Sequence, residues 1–183
     1  MLSGMPQLAL SAVGRDRPGI VAATTGVLLR HGVNVEDSRM SILRGHFTMM
    51  LILDVPDGTD GEQLSADLEA VSNELGLEAV AVGPVEALSE SAPEPTHVLS
   101  IYGVDHPGIV HQATQVLADH GVNVTDLQTR LADSEDGPPI YALLIEVAVP
   151  AATGASELSE ALSAVGERES VEVGLRELDR HEL

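Results

Sequence analysis

The feature that most constrains this chain is a duplication. Residues 14–37 read GRDRPGIVAATTGVLLRHGVNVED, and residues 103–126 read GVDHPGIVHQATQVLADHGVNVTD. The shift is constant, since 103 − 14 and 126 − 37 both give 89. Two copies are too few to stack into a solenoid, so the repeat predicts two similar domains. The expected division is residues 1–87, a linker at 88–96, and residues 97–183. The linker is polar and carries Pro93 and Pro95, and it is short enough to keep the domains close.

Each copy spells out the same order of elements. Residues 8–13 form a short apolar run suited to a buried strand, which Gly14 ends. Residues 16–19 (DRPG) then open a helix. Pro18 fits the first helical turn, where its missing N–H costs nothing. Asp16 is placed to cap the free N–H groups or to face a ligand. Gly19 clears a Cβ where backbone could approach a ligand. Ile20, Val27 and Leu28 give the helix an apolar stripe, and His31-Gly32 stops it. A strand from Val33, a turn at Arg44-Gly45 and an apolar run at 47–55 follow. That run suits a central strand covered by helices. Asp60 caps a second helix whose Leu64, Leu68, Val71 and Leu75 share a face, Gly76 ends it, and residues 77–85 supply a fourth strand.

The second copy repeats this order, with a longer hairpin turn at residues 132–139. The result is β-α-β-β-α-β twice. The fold class is therefore α+β, two ferredoxin-like units with antiparallel sheets and both helices on one face.

Composition excludes several function classes. The net charge is −20, and all nine basic residues are arginine. A nucleic-acid surface needs clustered cations, so no direct nucleic-acid partner is expected. There is no cysteine, and His106 and His111 lack any zinc-ligand spacing, so neither metal nor cofactor is expected. No catalytic motif occurs, and the carboxylate pairs lie in polar stretches that read as solvated surface. The chain has no apolar run of membrane-spanning length, which suggests a soluble, cytoplasmic, non-enzymatic protein.

Strand, Gly-x-Asp-x-Pro-Gly-Ile-Val, then a helix ending His-Gly-Val-Asn-Val, all inside a βαββαβ unit, resembles an ACT domain. The resemblance covers nearly the whole chain as two tandem copies, an architecture similar to the glycine-cleavage-system transcriptional repressor group. ACT domains are small ligand-sensing modules of amino-acid and nucleotide metabolism. The resemblance implies a binding site at the seam of two paired domains. There the loop before the first helix of one domain faces the second-strand start of the other. It thereby implicates Gly14, Arg15, Asp16 and Asn34 in the first copy, and Gly103, Val104, Asp105 and Asn123 in the second. Helix N-terminal amides attract a carboxylate, and Asp and Asn oxygens accept from an α-ammonium group.

The implied ligand is a small amino acid such as glycine or serine. The implied partners are a transcription factor or metabolic enzyme, and further copies of the chain through domain pairing. Two other readings stand beside this one. The chain could regulate a biosynthetic enzyme in trans, or it could be a ligand-free assembly module. In the latter, Asp16 and Asp105 are helix caps, and Asn34 and Asn123 pair local backbone. The loops also differ, Arg15 and Arg17 standing where the second copy has Val104 and His106. The two sites then differ in ligand, or only one is occupied.

Overall fold

A computed structural model describes residues 7–85, 93–132 and 139–178. The chain divides into two units, Met1–Glu90 and Ser91–Leu183. Most of the expected linker lies outside the described residues, as does most of the long hairpin turn at 132–139. Thr96, which the sequence assigns to the linker, is bonded into the second unit. Its N–H donates to the Val147 carbonyl at 2.8 Å, and its carbonyl accepts from the Leu178 N–H at 2.8 Å.

The first unit runs β1 (Gln7–Arg15), α1 (Ile20–Arg30), β2 (Asn34–Leu43), β3 (His46–Asp54), α2 (Gly61–Leu75) and β4 (Leu77–Pro84). The second runs β5 (His97–Val104), α3 (Ile109–Asp119), β6 (Asn123–Ala132), β7 (Ile140–Ala148), α4 (Ala155–Glu169) and β8 (Glu172–Glu177). Each unit is a four-stranded antiparallel sheet, ordered β2-β3-β1-β4 and β6-β7-β5-β8. The α+β ferredoxin-like expectation holds in both.

Each unit has its own aliphatic core. In the first, Leu10, Leu51 and Leu53 of the sheet pack with Ile20, Val27 and Leu28 of α1 and Leu64 and Leu68 of α2. In the second, Leu99, Ile101, Leu143 and Ile145 meet Ile109, Leu117, Leu158 and Leu162. Phe47 fills the first core as a fully buried aromatic. The 47–55 run is central in the sheet and is covered by the helices on one face. Phe47, Met49, Leu51 and Leu53 are buried, whereas Met50 between them is 54% exposed. Both helices lie on one side, so alternate side chains of an apolar strand face outward.

Local chemistry fixes the element ends. The Asp60 carboxylate accepts from the Glu62 and Gln63 amides at 3.1 Å, which caps α2. Gly76 ends α2 at φ 65°, and Ser170 takes the same left-handed conformation after α4 at φ 55°. Helix α1 is tied to α2 through His31, whose Nε2 lies 2.9 Å from an Asp67 oxygen, while Gln63 donates to the other at 2.8 Å. The hydrogen bond from His31, then that from Gln63, holds the Asp67 carboxyl below its ordinary range.

Candidate functional site

The loop before α1 is built differently from the sequence expectation, which opened that helix at residues 16–19, whereas α3 starts at Ile109 as expected. Helix α1 starts at Ile20 with Gly19 as its N-cap, and α3 starts at Ile109 with Gly108 as its N-cap. Pro18 thus precedes α1 instead of opening it, as Pro107 precedes α3, because the Pro-Gly pair makes a turn of its own. Gly19 and Gly108 have φ of 99° and 118°, values that side-chain-bearing residues rarely adopt. The freedom needed at Gly19 is conformational, since an added Cβ would meet nothing within 4 Å. Neither Asp16 nor Asp105 caps its helix, and neither N-terminus has a side-chain cap. The capping role weighed for these two aspartates is therefore withdrawn. Asp16 is anchored instead by its own N–H, which donates to the Gly45 carbonyl at 2.8 Å. That bond fixes the loop beside the β2–β3 hairpin.

Gly14 and Gly103 have a packing reason of their own. A Cβ at Gly14 would lie 2.8 Å from Leu77 Cδ2 and 3.0 Å from Leu77 Cα. At Gly103 it would lie 2.5 Å from Val171 Cγ1 and 3.2 Å from Val171 Cα. These glycines let the chain entering the last strand of each sheet approach closely. Arg15, Asp16, Val104 and Asp105 are exposed, as are Asn34 and Asn123.

Strand register separates these residues within a unit. Arg15 is paired with His46, whereas Asn34 is paired with Asp54 at the other end of β3. Eight positions of strand (54 − 46) at ~3.4 Å each place them roughly 27 Å apart. The second unit repeats this, with Val104 opposite Ile140 and Asn123 opposite Ala148. Each unit brings Gly14, Arg15 and Asp16, or Gly103, Val104 and Asp105, to one end and leaves its asparagine at the other. The implicated residues of one unit do not converge on one place within that unit.

Residues 7–82 match the ACT domain family, and residues 97–168 match an ACT domain again. The chain belongs to the ACT-domain family. It is 26% identical over 172 residues to the glycine cleavage system transcriptional repressor of Escherichia coli, covering 90% of this chain and 86% of that protein. It is 28% identical over 170 residues to a phosphoserine phosphatase of Mycobacterium tuberculosis, covering 92% of this chain but only 40% of the phosphatase. A solved structure of an unknown protein from Galdieria sulphuraria superposes with TM-score 0.78 at 30% identity, covering 95% of this chain and 99% of that one. The chain is thus a regulatory tandem ACT-domain protein related to the repressor group.

Each ACT domain also shows residues that the motif did not single out. Near Asn34, the Gln7 amide donates to Glu36 and, at 3.3 Å, to Asp54. Glu36 occupies a bulge between Val35 and Asp37. Thr125 occupies the matching bulge in the second domain, and its Oγ1 is buried without a hydrogen-bond partner. At the second loop, Asp105, His106, His111 and Tyr141 line a concavity of about 500 Å³ around the Pro107-Gly108 turn. Burial, and then the nearby Asp105 charge, pushes the Tyr141 phenol up. None of these has a local signal, because each depends on which strands become neighbours.

Larger concavities than this one lie elsewhere. Grooves of about 630 Å³ between α4 and β8 and about 560 Å³ between α2 and β4 carry Glu160, Glu167 and Glu69 among serines. They hold none of the implicated residues, and their carboxylates disfavour a ligand carboxylate. No group of three metal-ligating side chains occurs among the described residues. No described helix is long and apolar enough to cross a membrane.

Proposed function

We propose that this protein is a non-enzymatic sensor of a small amino acid such as glycine or serine, in which the ligand biases the pairing of ACT domains. The observation that supports the reading is the position of the helix-start loop and the second-strand asparagine at opposite ends of each domain. Antiparallel pairing along an edge strand brings the start of that strand in one domain to the hairpin end of the other. The second-strand asparagine of one domain then meets the helix-start loop of its partner. Charge and hydrogen bonding there suit a zwitterion, with helix N-terminal amides for the carboxylate and Asp16 or Asp105 with an asparagine for the ammonium.

The edges support such pairing. Strand β2 lies at the edge of its sheet, and Leu29, Met40 and Ile42 expose 79%, 50% and 51% of their surface along the α1–β2 side. An unpaired strand flanked by exposed apolar residues favours addition of another strand. A bridging ligand stabilises the paired state only by its differential affinity for that state.

The paired state would act on a protein partner in the control of amino-acid metabolism. With a net charge of −20, any effect on transcription would pass through a separate DNA-binding protein. The alignment with about two fifths of a phosphoserine phosphatase favours a second reading, in which the pair regulates a serine-metabolising enzyme in trans.

A thermal-shift screen of the full chain against the common amino acids tests the proposal. At a hundredfold excess over Kd one site contributes about 2.7 kcal/mol. For a chain of this size that raises Tm by roughly 5–10 °C. If no amino acid moves Tm, the sensor reading fails and the ligand-free assembly reading takes its place.

A further inference from the structure

The second helix-start loop has one contact that the first cannot make. His106 stands where the first copy has Arg17, and Glu169 of α4 stands where the first copy has buried Leu75. His106 Nε2 lies 2.9 Å from the Glu169 carbonyl oxygen, and Nδ1 lies 3.3 Å from the Pro107 carbonyl. The Glu169 carboxylate is 3.7 Å from Nδ1. Every polar atom facing the ring in these contacts is an acceptor. A neutral imidazole has a single N–H and can serve only one nitrogen, whereas imidazolium donates from both. The ring also bridges elements far apart in sequence, joining the β5–α3 loop to the C-terminal end of α4. A helix C-terminus favours positive charge.

We propose that His106 is a positioning residue whose protonated ring clamps the Asp105–Gly108 loop to the end of α4. The clamp makes the second ligand-binding loop pH-responsive, where the first carries the permanent charge of Arg17. The inference rests on the amino-acid-binding reading for what the loop does, but the clamp itself does not. The hydrogen bonds to the Glu169 and Pro107 carbonyls, with the charges of Glu169 and Asp105, raise the His106 pKa above the ordinary histidine value. A raised pKa means that the clamp is complete below the ordinary value near 6.5 and is lost as pH rises through the raised one. The other titratable groups around the ring are Asp105 on the loop, Glu169 on α4, His111 on α3 and Tyr141 on β7.

The test is a pH titration of the full-length chain by NMR, following histidine ring nitrogens and backbone amides without ligand. His106→Gln identifies the ring signal, and His111→Gln removes the neighbouring titration. The expected result is a His106 midpoint above that of an ordinary histidine, with the amides of residues 105, 106 and 108 following it. The amides of residues 16, 17 and 19 in the first loop should not follow.

Glycine binding at the second loop should weaken roughly 3- to 10-fold between about pH 6 and pH 8.5, the scale of the net contribution of one hydrogen bond. In His106→Arg it should be independent of pH. A ring midpoint at or below the ordinary value, or loop amides indifferent to it, overturns the clamp. If glycine, serine and the other amino acids fail to bind while ring and amides titrate together, the clamp stands and the sensor reading falls.

Discussion

A single methyl group added at Gly103 distinguishes a glycine kept for packing from one kept for a ligand. Its Cβ would sit 2.5 Å from Val171 Cγ1, 3.1 Å from Val171 Cβ and 3.2 Å from Val171 Cα. The neighbour is a stiff β-branched side chain and its backbone, so β8 or β5 must shift. Overpacking of this kind costs about 1–3 kcal/mol. The mutation also removes about 0.5–1 kcal/mol of glycine's entropic penalty within a strand. Because the clash reaches the Val171 Cβ and backbone, the upper part of the overpacking range applies (about 2–3 kcal/mol), and the net expectation for Gly103→Ala is a loss of about 1–2.5 kcal/mol. In a unit of this size that lowers Tm by roughly 5–15 °C. Gly14→Ala should cost less, since its nearest contact is the flexible end of Leu77. Gly26→Ala, in the middle of α1 with nothing within 4 Å, serves as the control and should gain about 0.5–1 kcal/mol. The assay is urea and thermal unfolding of the three variants followed by circular dichroism. A Gly103→Ala protein of unchanged or greater stability that has lost amino-acid binding would refute the packing account.

Two further outcomes follow from particular contacts. Asp67 is held below its ordinary pKa, so its contribution is present above the ordinary carboxylate value and is lost as pH falls through the lowered one. Acid unfolding monitored in Asp67→Asn should therefore lack a component, below about pH 4, that the unaltered chain shows. Ser170→Gly relieves a left-handed conformation at the end of α4, where the first domain already has Gly76, and should raise stability by about 0.5–1 kcal/mol in denaturant titrations.

Much of the fold was legible because its signals are local. The duplication, the leucine spacing of α2, the cap at Asp60 and the stop at Gly76 all act within a few residues of chain. The start of α1 was misplaced by a turn, because Pro-Gly suits either a first helical turn or the turn before it, whereas α3 begins at Ile109 as expected. Only the positive φ of Gly19 and Gly108 decides between them. The central strand at residues 47–55 was legible from its apolar run, whereas the exposure of Met50 follows from both helices lying on one side of the sheet. Asp16 and Asn34 are 18 residues apart in sequence (34 − 16), and nothing local shows that they occupy opposite ends of one sheet. That separation follows from register alone. The His106 contact to Glu169 spans 63 residues and leaves no local trace.

In the proposed paired state, the helix-start loop of one ACT domain and the second-strand asparagine of another share a ligand. The most direct measurement is an amide-resolved NMR titration of the full chain with glycine and with serine. Amides at residues 16–22 or 105–111, Pro18 and Pro107 excepted, should shift together with Asn34 or Asn123, along a single binding isotherm. Saturable shifts confined to one end of one domain, or to the α4–β8 groove, would contradict it.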